Sequence, residues 1–383
     1  MRDGVAASNA GAPSTVVFTV GFGDVFRHYG ACGCRSILHA YGESLRALLV
    51  ATDAATSSAP RPPPLDDTRV ELVPMLSAAT GNQSAWLLQM YALRETLGLV
   101  RRKFRGSNAV YTDLDVLHTR PAFDAALLGD APFTVGVLAR PPKLEGALNV
   151  GLLLFPAAAT RKAHALLAVA YDLYAKFYGG LHRAPSMGAC CAQHALQHAL
   201  EVVLRSRGWQ RWHDATTLYR VRPAATSGSA CVPDALRDGF VLAALPAALY
   251  HAAPRPRSGC WRPTSRTVAL HYKGPALKAS LCADVEAAAA ADDGARAMAA
   301  KYDDRAPPHN CSSSRLVGEA SSARCEAPLL FPTGSPEVQR GQVKALLGAM
   351  CDAEAEGAAR QSCSSRWRTE LSGPSRRGCS GFG

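Results

Sequence analysis

A chain of 383 residues, 48% hydrophobic and 19% charged, has room for a sizeable core, and its make-up excludes a wholly disordered or collagen-like protein. The net charge of +11 and a pI near 9.2 admit nucleic acid, anionic lipid or phosphate-bearing ligands. The cations are spread over loops and the C-terminal "SSRWRTELSGPSRRG", with no basic helix and no interleaved aromatic stripe, so the surplus reads as solvated surface and no nucleic-acid partner is expected.

In chain order, "STVVFTVGFG" (Ser14 to Gly23) is β-branched and apolar before it turns through glycines, as a buried strand does. "CRSILHAYGESL" reads as a short helix, "RALLVATDAA" as a second strand, "SSAPRPPPLDD" as a surface loop and "RVELVPM" as a third strand. "NQSAWLLQMYALRETLGL" spaces Trp86, Leu87, Met90, Leu93 and Leu97 as a helix does. A fourth strand, "NAVYTDLDVL", carries Asp113 and Asp115 inside an apolar run. "PFTVGVLARP" and "ALNVGLLLFPA" are strand-like, and a long helical region runs from about Arg161 to Arg207. A strand and turn in "GFVLAALPAALYHAA" and a short strand in "TVALHYKGPALK" complete the pattern. The domain therefore spans 14–281. Residues 1–13 are expected to be disordered, and 282–383 form an Ala/Ser/Arg-rich extension, partly helical and mostly disordered. There is no internal repeat.

Strands alternating with helices predict a mostly parallel, Rossmann-like sheet covered on both faces, with ligands at the carboxyl ends of its strands. Gly21 to Asp24, Asp53, Asp113 and Asp115 all fall at such ends. An ionised carboxylate is costly to bury without a positive partner. If the chain bends after Tyr111, the two aspartates converge on a hard cation, for which oxygen ligands suit Mg²⁺ or Mn²⁺. Two solvated loop aspartates are the plainer alternative.

The twelve cysteines are irregularly spaced and include no C-x-x-C pair, so a zinc ribbon is not expected and the pairing stays open. Sequons at Asn82 and Asn310 fit a secretory lumen. Neither a signal-like N-terminus nor a transmembrane span is visible, so a cytosolic chain and one whose start lies upstream both remain open.

The segment "VYTDLDVLHTRP" resembles the D-x-D segment of GT-A-type nucleotide-diphospho-sugar glycosyltransferases. The likeness continues in order: "VVFTVGFGD" and "ALLVATDA" look like the nucleotide-contacting strands, "LEGALNVGLLLF" like the Asn-x-Gly strand, and "ALHYKGPALK" like the late His-Gly-Lys segment. The resemblance implies a GT-A-like α/β fold and a Mn²⁺ or Mg²⁺ held by Asp113, Asp115 and His271. It implies nucleotide contacts from Gly21, Phe22, Gly23, Asp24 and Asp53, and diphosphate contacts from Lys273, Gly274 and Lys278. Asn149 and Gln193 would stand near the reacting sugar, although Ala192 replaces the acidic residue expected before Gln193. The implied partners are a nucleotide-sugar donor, UDP-linked, and a glycan, protein or small hydroxyl acceptor. The implied outcome is retention, and the implied location is the Golgi or secretory lumen.

"DLDVL" also satisfies the nucleophile motif of haloacid dehalogenase-like phosphatases, with Asp113 attacking phosphorus, but there the motif follows the first strand. A non-catalytic nucleotide-sugar or glycan binder is the third reading, suggested by Ala192. His194 and His198 with Cys190 and Cys191 offer a soft-metal face on a helix, but no H-E-x-x-H pattern is present and amphipathic packing is the preferred account. Trp209 and Trp212 read as surface-anchoring packing, with sugar stacking the alternative.

Overall fold

The computed structural model describes residues 13–61, 63–76, 85–128, 132–139, 148–173, 195–196, 199–200, 209–213, 217–221, 236, 239–252, 254, 263–272 and 275–302. The first half alternates strand and helix: β1 (Thr15–Val20), α1 (Gly23–Tyr41), β2 (Leu45–Asp53), α2 (Ala54–Ser58), β3 (Val70–Leu76) and α3 (Ala85–Lys103). Then come β4 (Asn108–Thr112), β5 (Val116–His118), α4 (Ala125–Leu128), β6 (Val135–Ala139), β7 (Leu148–Phe155) and α5 (Thr160–Leu173). The last described elements are β8 (Trp209–His213), β9 (Thr217–Val221), β10 (Val241–Pro246), α6 (Ala247–Tyr250), β11 (Ala269–His271), α7 (Pro275–Lys278), α8 (Leu281–Ala289) and α9 (Gly294–Lys301).

Nine strands form one sheet in the order β3-β2-β1-β4-β7-β6-β10-β9-β8. Seven run in one direction and only β7 and β9 oppose them. This is the mostly parallel, GT-A-like sheet that the sequence predicts. Pro74 is tolerated in β3 because β3 is an edge strand, where no further ladder needs its missing N–H.

The period-two alternation of the strands divides their side chains between two buried layers. Val16, Phe18 and Leu49 pack with Met90, Leu93 and Leu97 of α3 and Leu166 and Leu167 of α5. Val17, Leu48 and Val50 face the other way, against Ile37, Leu38 and Tyr41 of α1.

Helix α1 is much longer than the short helix expected, because it begins at Gly23. Glycines weigh against a helix on propensity, but here Gly30 and Gly33 serve close packing: a Cβ on Gly30 would lie 2.8 Å from the Phe26 ring. The expectation of no basic helix also needs correction. Helix α3 ends in Arg101, Arg102 and Lys103, at the carbonyl end that favours positive charge.

Residues 281–302 form α8 and α9, whose Leu281, Val285, Ala288 and Met298 are buried with Leu117 and Leu270. A disulfide, Cys32–Cys282, ties α8 to α1.

Candidate metal centre

Strand β4 runs in the middle of the sheet, between β1 and β7. Its ladder ends where Asp113 N–H donates to the Gly151 carbonyl at 3.0 Å, and the chain then turns at Leu114 and Asp115 before β5. Leu114 is buried and pins that turn. A Cβ on Gly21 would lie 2.3 Å from Leu114 Cδ1, and one on Gly33 would lie 2.9 Å from the Leu114 carbonyl oxygen. With the apolar residue between them anchored below, the two aspartates are left to face the carboxyl end of the sheet.

The late segment reaches them through a second, two-stranded sheet. Strand β11 pairs antiparallel with β5 and sets His271 opposite Val116, while Tyr272 N–H donates to the Asp115 carbonyl at 2.9 Å. His271 Nε2 lies 3.2 Å from Asp115 Oδ1, and Lys278 Nζ, on α7, lies 2.7 Å from Asp115 Oδ2. Ligand atoms of Asp113, Asp115 and His271 all lie within 4.8 Å of one another. Sequence separation thus conceals one compact cluster.

Asp113 accepts from Tyr111 OH at 2.6 Å, and Gln89 Nε2 approaches it at 3.4 Å. Burial and then the adjacent Asp113 charge raise the Tyr111 phenol well above its usual range, which keeps that hydroxyl a donor. Burial, reinforced by the Asp115 charge, pushes the Asp113 carboxyl up to about 6. Burial also pushes against ionisation of Asp115, but the His271 and Lys278 contacts outweigh it and hold that carboxyl well below the usual carboxylate range. Two carboxylates face one ammonium, so the cluster holds more anionic capacity than its own cation neutralises. A divalent ion would supply the missing charge, and the donor set of two carboxylates and an imidazole fits one.

Asn149, on β7, is buried and accepts from Gly151 N–H at 2.9 Å. A Cβ on Gly151 would lie 2.8 Å from both Asn149 Oδ1 and His271 Cε1, so the Asn-x-Gly spacing makes room for the His271 ring. Lys278 lies on the Asp115 carboxylate and over the Tyr29 ring, 5.6 Å from its centroid.

Of the expected nucleotide-contacting residues, Gly21 packs against Leu114 between the two aspartates, and Phe22, Gly23, Asp24 and Asp53 stand at the ends of β1 and β2. Asp53 caps α2, accepting from Thr56 N–H at 2.7 Å and Thr56 Oγ1 at 2.9 Å. Asp24 sits exposed in the first turn of α1, paired with Arg27. Phe22 precedes that helix in an extended conformation, and Gly23 opens it at φ +58°, a value that suits glycine. Gly23 and Asp53 share a cavity of about 390 Å³ with Phe26, Arg27, Thr56 and Arg61; the Asp-x-Asp pair is not among the described residues lining it. Lys273, Gly274 and Gln193 lie outside the described residues, as do Ala192, His194, His198, Cys190, Cys191, Asn82 and Asn310.

Three site residues escaped sequence reasoning. Tyr111 was visible only as a strand residue. Gly151 was signalled by the Asn-x-Gly spacing. His251, whose Nδ1 lies 3.2 Å from His271 Nδ1, gave no signal, being a lone histidine after an apolar run.

No family model matches the chain, and no curated relative matches it. Solved structures similar to it include a glycosyltransferase involved in the glycosylation of the major capsid of PBCV-1, at 9% identity and TM-score 0.40, covering 72% of this chain and 100% of that one. The galactosyltransferase LgtC, in complex with donor and acceptor sugar analogs, is 13% identical at TM-score 0.36, covering 72% and 95%. The glycosyltransferase GlyE of Streptococcus pneumoniae TIGR4 is 14% identical at TM-score 0.33, covering 49% of this chain and 43% of that chain. At these values the likenesses are distant, and the chemistry of the site rests on its own residues. By its mostly parallel sheet and its Asp-x-Asp cluster beside His271, the chain resembles GT-A-type nucleotide-diphospho-sugar glycosyltransferases.

Proposed function

We propose that this chain is a metal-dependent glycosyltransferase that moves a sugar from a nucleoside-diphosphate donor, UDP-linked, to a hydroxyl of a glycan, protein or small molecule. One observation carries the reading: Asp113, Asp115 and His271, from distant parts of the sequence, bring their ligand atoms within 4.8 Å of one another. Asp113, Asp115 and His271 would hold Mn²⁺ or Mg²⁺, which would supply positive charge against a diphosphate leaving group. Tyr111 steadies Asp113 for that task by donating its hydroxyl. Lys278 turns its ammonium from Asp115 toward the departing diphosphate, where its charge counts most as the bond breaks. Lys273 and Gly274 are assigned to the diphosphate on the motif resemblance. Asn149 lines the site near the reacting sugar, and Gln193 is assigned to the same sugar on the motif resemblance. Gly21, Phe22, Gly23, Asp24 and Asp53 hold the nucleotide at the ends of β1 and β2. Retention of anomeric configuration rests on the motif resemblance alone.

The secretory lumen or Golgi is the proposed location. The Cys32–Cys282 disulfide supports it, because such bonds persist in oxidising compartments. No helix among the described residues is long and apolar enough to cross a membrane.

A panel of nucleotide-sugars with Mn²⁺, scored by release of nucleoside diphosphate, tests the reading. Wild type is expected to hydrolyse one donor slowly, and Asp115→Ala to lose roughly a hundredfold or more of that rate. Turnover that survives Asp115→Ala sinks the assignment. Cleavage of simple phosphomonoesters would point to a phosphatase, and donor binding without hydrolysis to a non-catalytic relative.

A further inference from the structure

Resting on the metal-centre reading, we propose that His251 is a positioning residue that fixes the tautomer and ring plane in which His271 presents Nε2 to the cation. His251 follows α6, and its neighbour Ala252 bridges to Leu270 of β11, accepting from His271 N–H at 2.8 Å. That bridge sets the two imidazoles against each other, with ring centroids 4.4 Å apart at an interplanar angle of 67° and Nδ1 atoms 3.2 Å apart. Both rings are buried. The Nδ1–Cε1 edge of the His271 ring also rests against Gly151, where any Cβ would meet Nδ1 at 3.0 Å. Backbone at Gly151 and a polar partner at His251 therefore both confine that edge of the ring.

A contact between two ring nitrogens is a hydrogen bond only if one carries a proton and the other a lone pair. Neutral imidazole carries one N–H, so the two tautomers are linked. When His271 Nε2–H donates to Asp115, its Nδ1 is bare and His251 must donate from Nδ1. When His271 turns a bare Nε2 toward a cation, its proton sits on Nδ1 and His251 must accept there, keeping its own proton on Nε2. In passing between these arrangements, the Nδ1 proton of His251 moves across to His271. His271 releases its Nε2 proton to water as the cation takes its place, and water returns one to His251 at Nε2. The pair carries two ring protons in either arrangement. His251 is the partner that makes the cation-binding tautomer of His271 a satisfied one.

Mn²⁺ alone, titrated into the full chain and followed by electron paramagnetic resonance, tests this. His251→Phe keeps a ring but no nitrogen, and is expected to weaken Mn²⁺ binding about 10- to 100-fold. His251→Asn, whose amide oxygen can accept from His271 Nδ1–H, is expected to restore most of it. If wild type takes up no Mn²⁺ that Asp115→Ala abolishes, the metal-centre reading itself fails. If wild type binds and His251→Phe binds equally well, the role of His251 fails while the centre stands. Should His251→Phe not fold, ¹⁵N spectra of histidine-labelled wild type with and without Mg²⁺ decide. Movement of the His251 proton from Nδ1 to Nε2 is expected, and an unchanged His251 tautomer in the Mg²⁺-bound protein overturns the proposal.

Discussion

Gly151 occupies a point where one methyl group would collide with two polar side chains. A Cβ there would come within 2.8 Å of both Asn149 Oδ1 and His271 Cε1, distances that real Cβ atoms do not show. Because Gly151 sits in the central part of the sheet, its backbone cannot retreat, so the His271 ring must. Gly151→Ala is expected to cost about 1 to 3 kcal/mol in stability, an overpacking penalty, and to weaken Mn²⁺ binding at least about tenfold as His271 is displaced. A titration showing wild-type Mn²⁺ affinity in Gly151→Ala would mean that the ring is not confined as described. The same residue marks how much of the centre is legible in sequence. Asp113 and Asp115 can be read from the apolar run that holds them, and His271 and Lys278 from the resemblance that the order of the motifs implies. Gly151 and His251 act only through what they leave room for or orient, and such roles exist only once β7, β11 and the 251–252 bridge lie side by side.

Helices α8 and α9 are held to the domain by a buried carboxylate. Asp284 is fully buried and accepts from Tyr272 OH at 2.7 Å, from Tyr302 OH and from Lys301 Nζ. Three donors from β11's end and α9 therefore converge on one side chain of α8. Asp284→Ala would leave the Tyr272 hydroxyl unpaired in the interior. Lys301 is 44% exposed and can rehydrate, which places the expected loss near the low end of the range for broken buried pairs, about 3 kcal/mol. Urea denaturation measures it, and a loss below about 1 kcal/mol would show that solvent reaches these groups. An Ala-rich run here reads as one helix, but Asp293 accepts from Arg296 N–H at 3.0 Å and caps a second helix instead. The start of α1 was hidden for a different reason. Helix propensity counts Gly30 and Gly33 against a helix, and only tertiary packing against Phe26 and Leu114 reveals why they are there.

Across the whole molecule, the carboxyl ends of β1, β2 and β4 supply one rim, and the chain must return from far downstream to complete the cluster on it. The Cys32–Cys282 disulfide secures that return, linking cysteines 250 residues apart with Cα atoms 5.2 Å from each other. Its pairing could not be read from twelve irregularly spaced cysteines, because the proximity of α1 and α8 is a product of the sheet's topology. Lys278 lies four residues before Cys282, over the Tyr29 ring of α1, so the bond fastens that lysine as well as the helix. Arg35 and Glu286 pair across the same interface, but both are substantially exposed and such a pair contributes less than about 1 kcal/mol. The ion pair therefore cannot stand in for the covalent link. A Cys32→Ser/Cys282→Ser double variant is expected to lose about 2 to 4 kcal/mol of unfolding free energy, chiefly because its denatured chain regains the freedom of a very long loop. Its affinity for a nucleoside diphosphate in the presence of Mn²⁺ is expected to fall with it, since the segment carrying Lys278 is released at one end. Chemical denaturation and calorimetric titration on the same preparations separate the two effects. Unchanged stability would show that the α1–α8 contact stands on packing alone, and lost stability with intact diphosphate affinity would uncouple Lys278 from the bond.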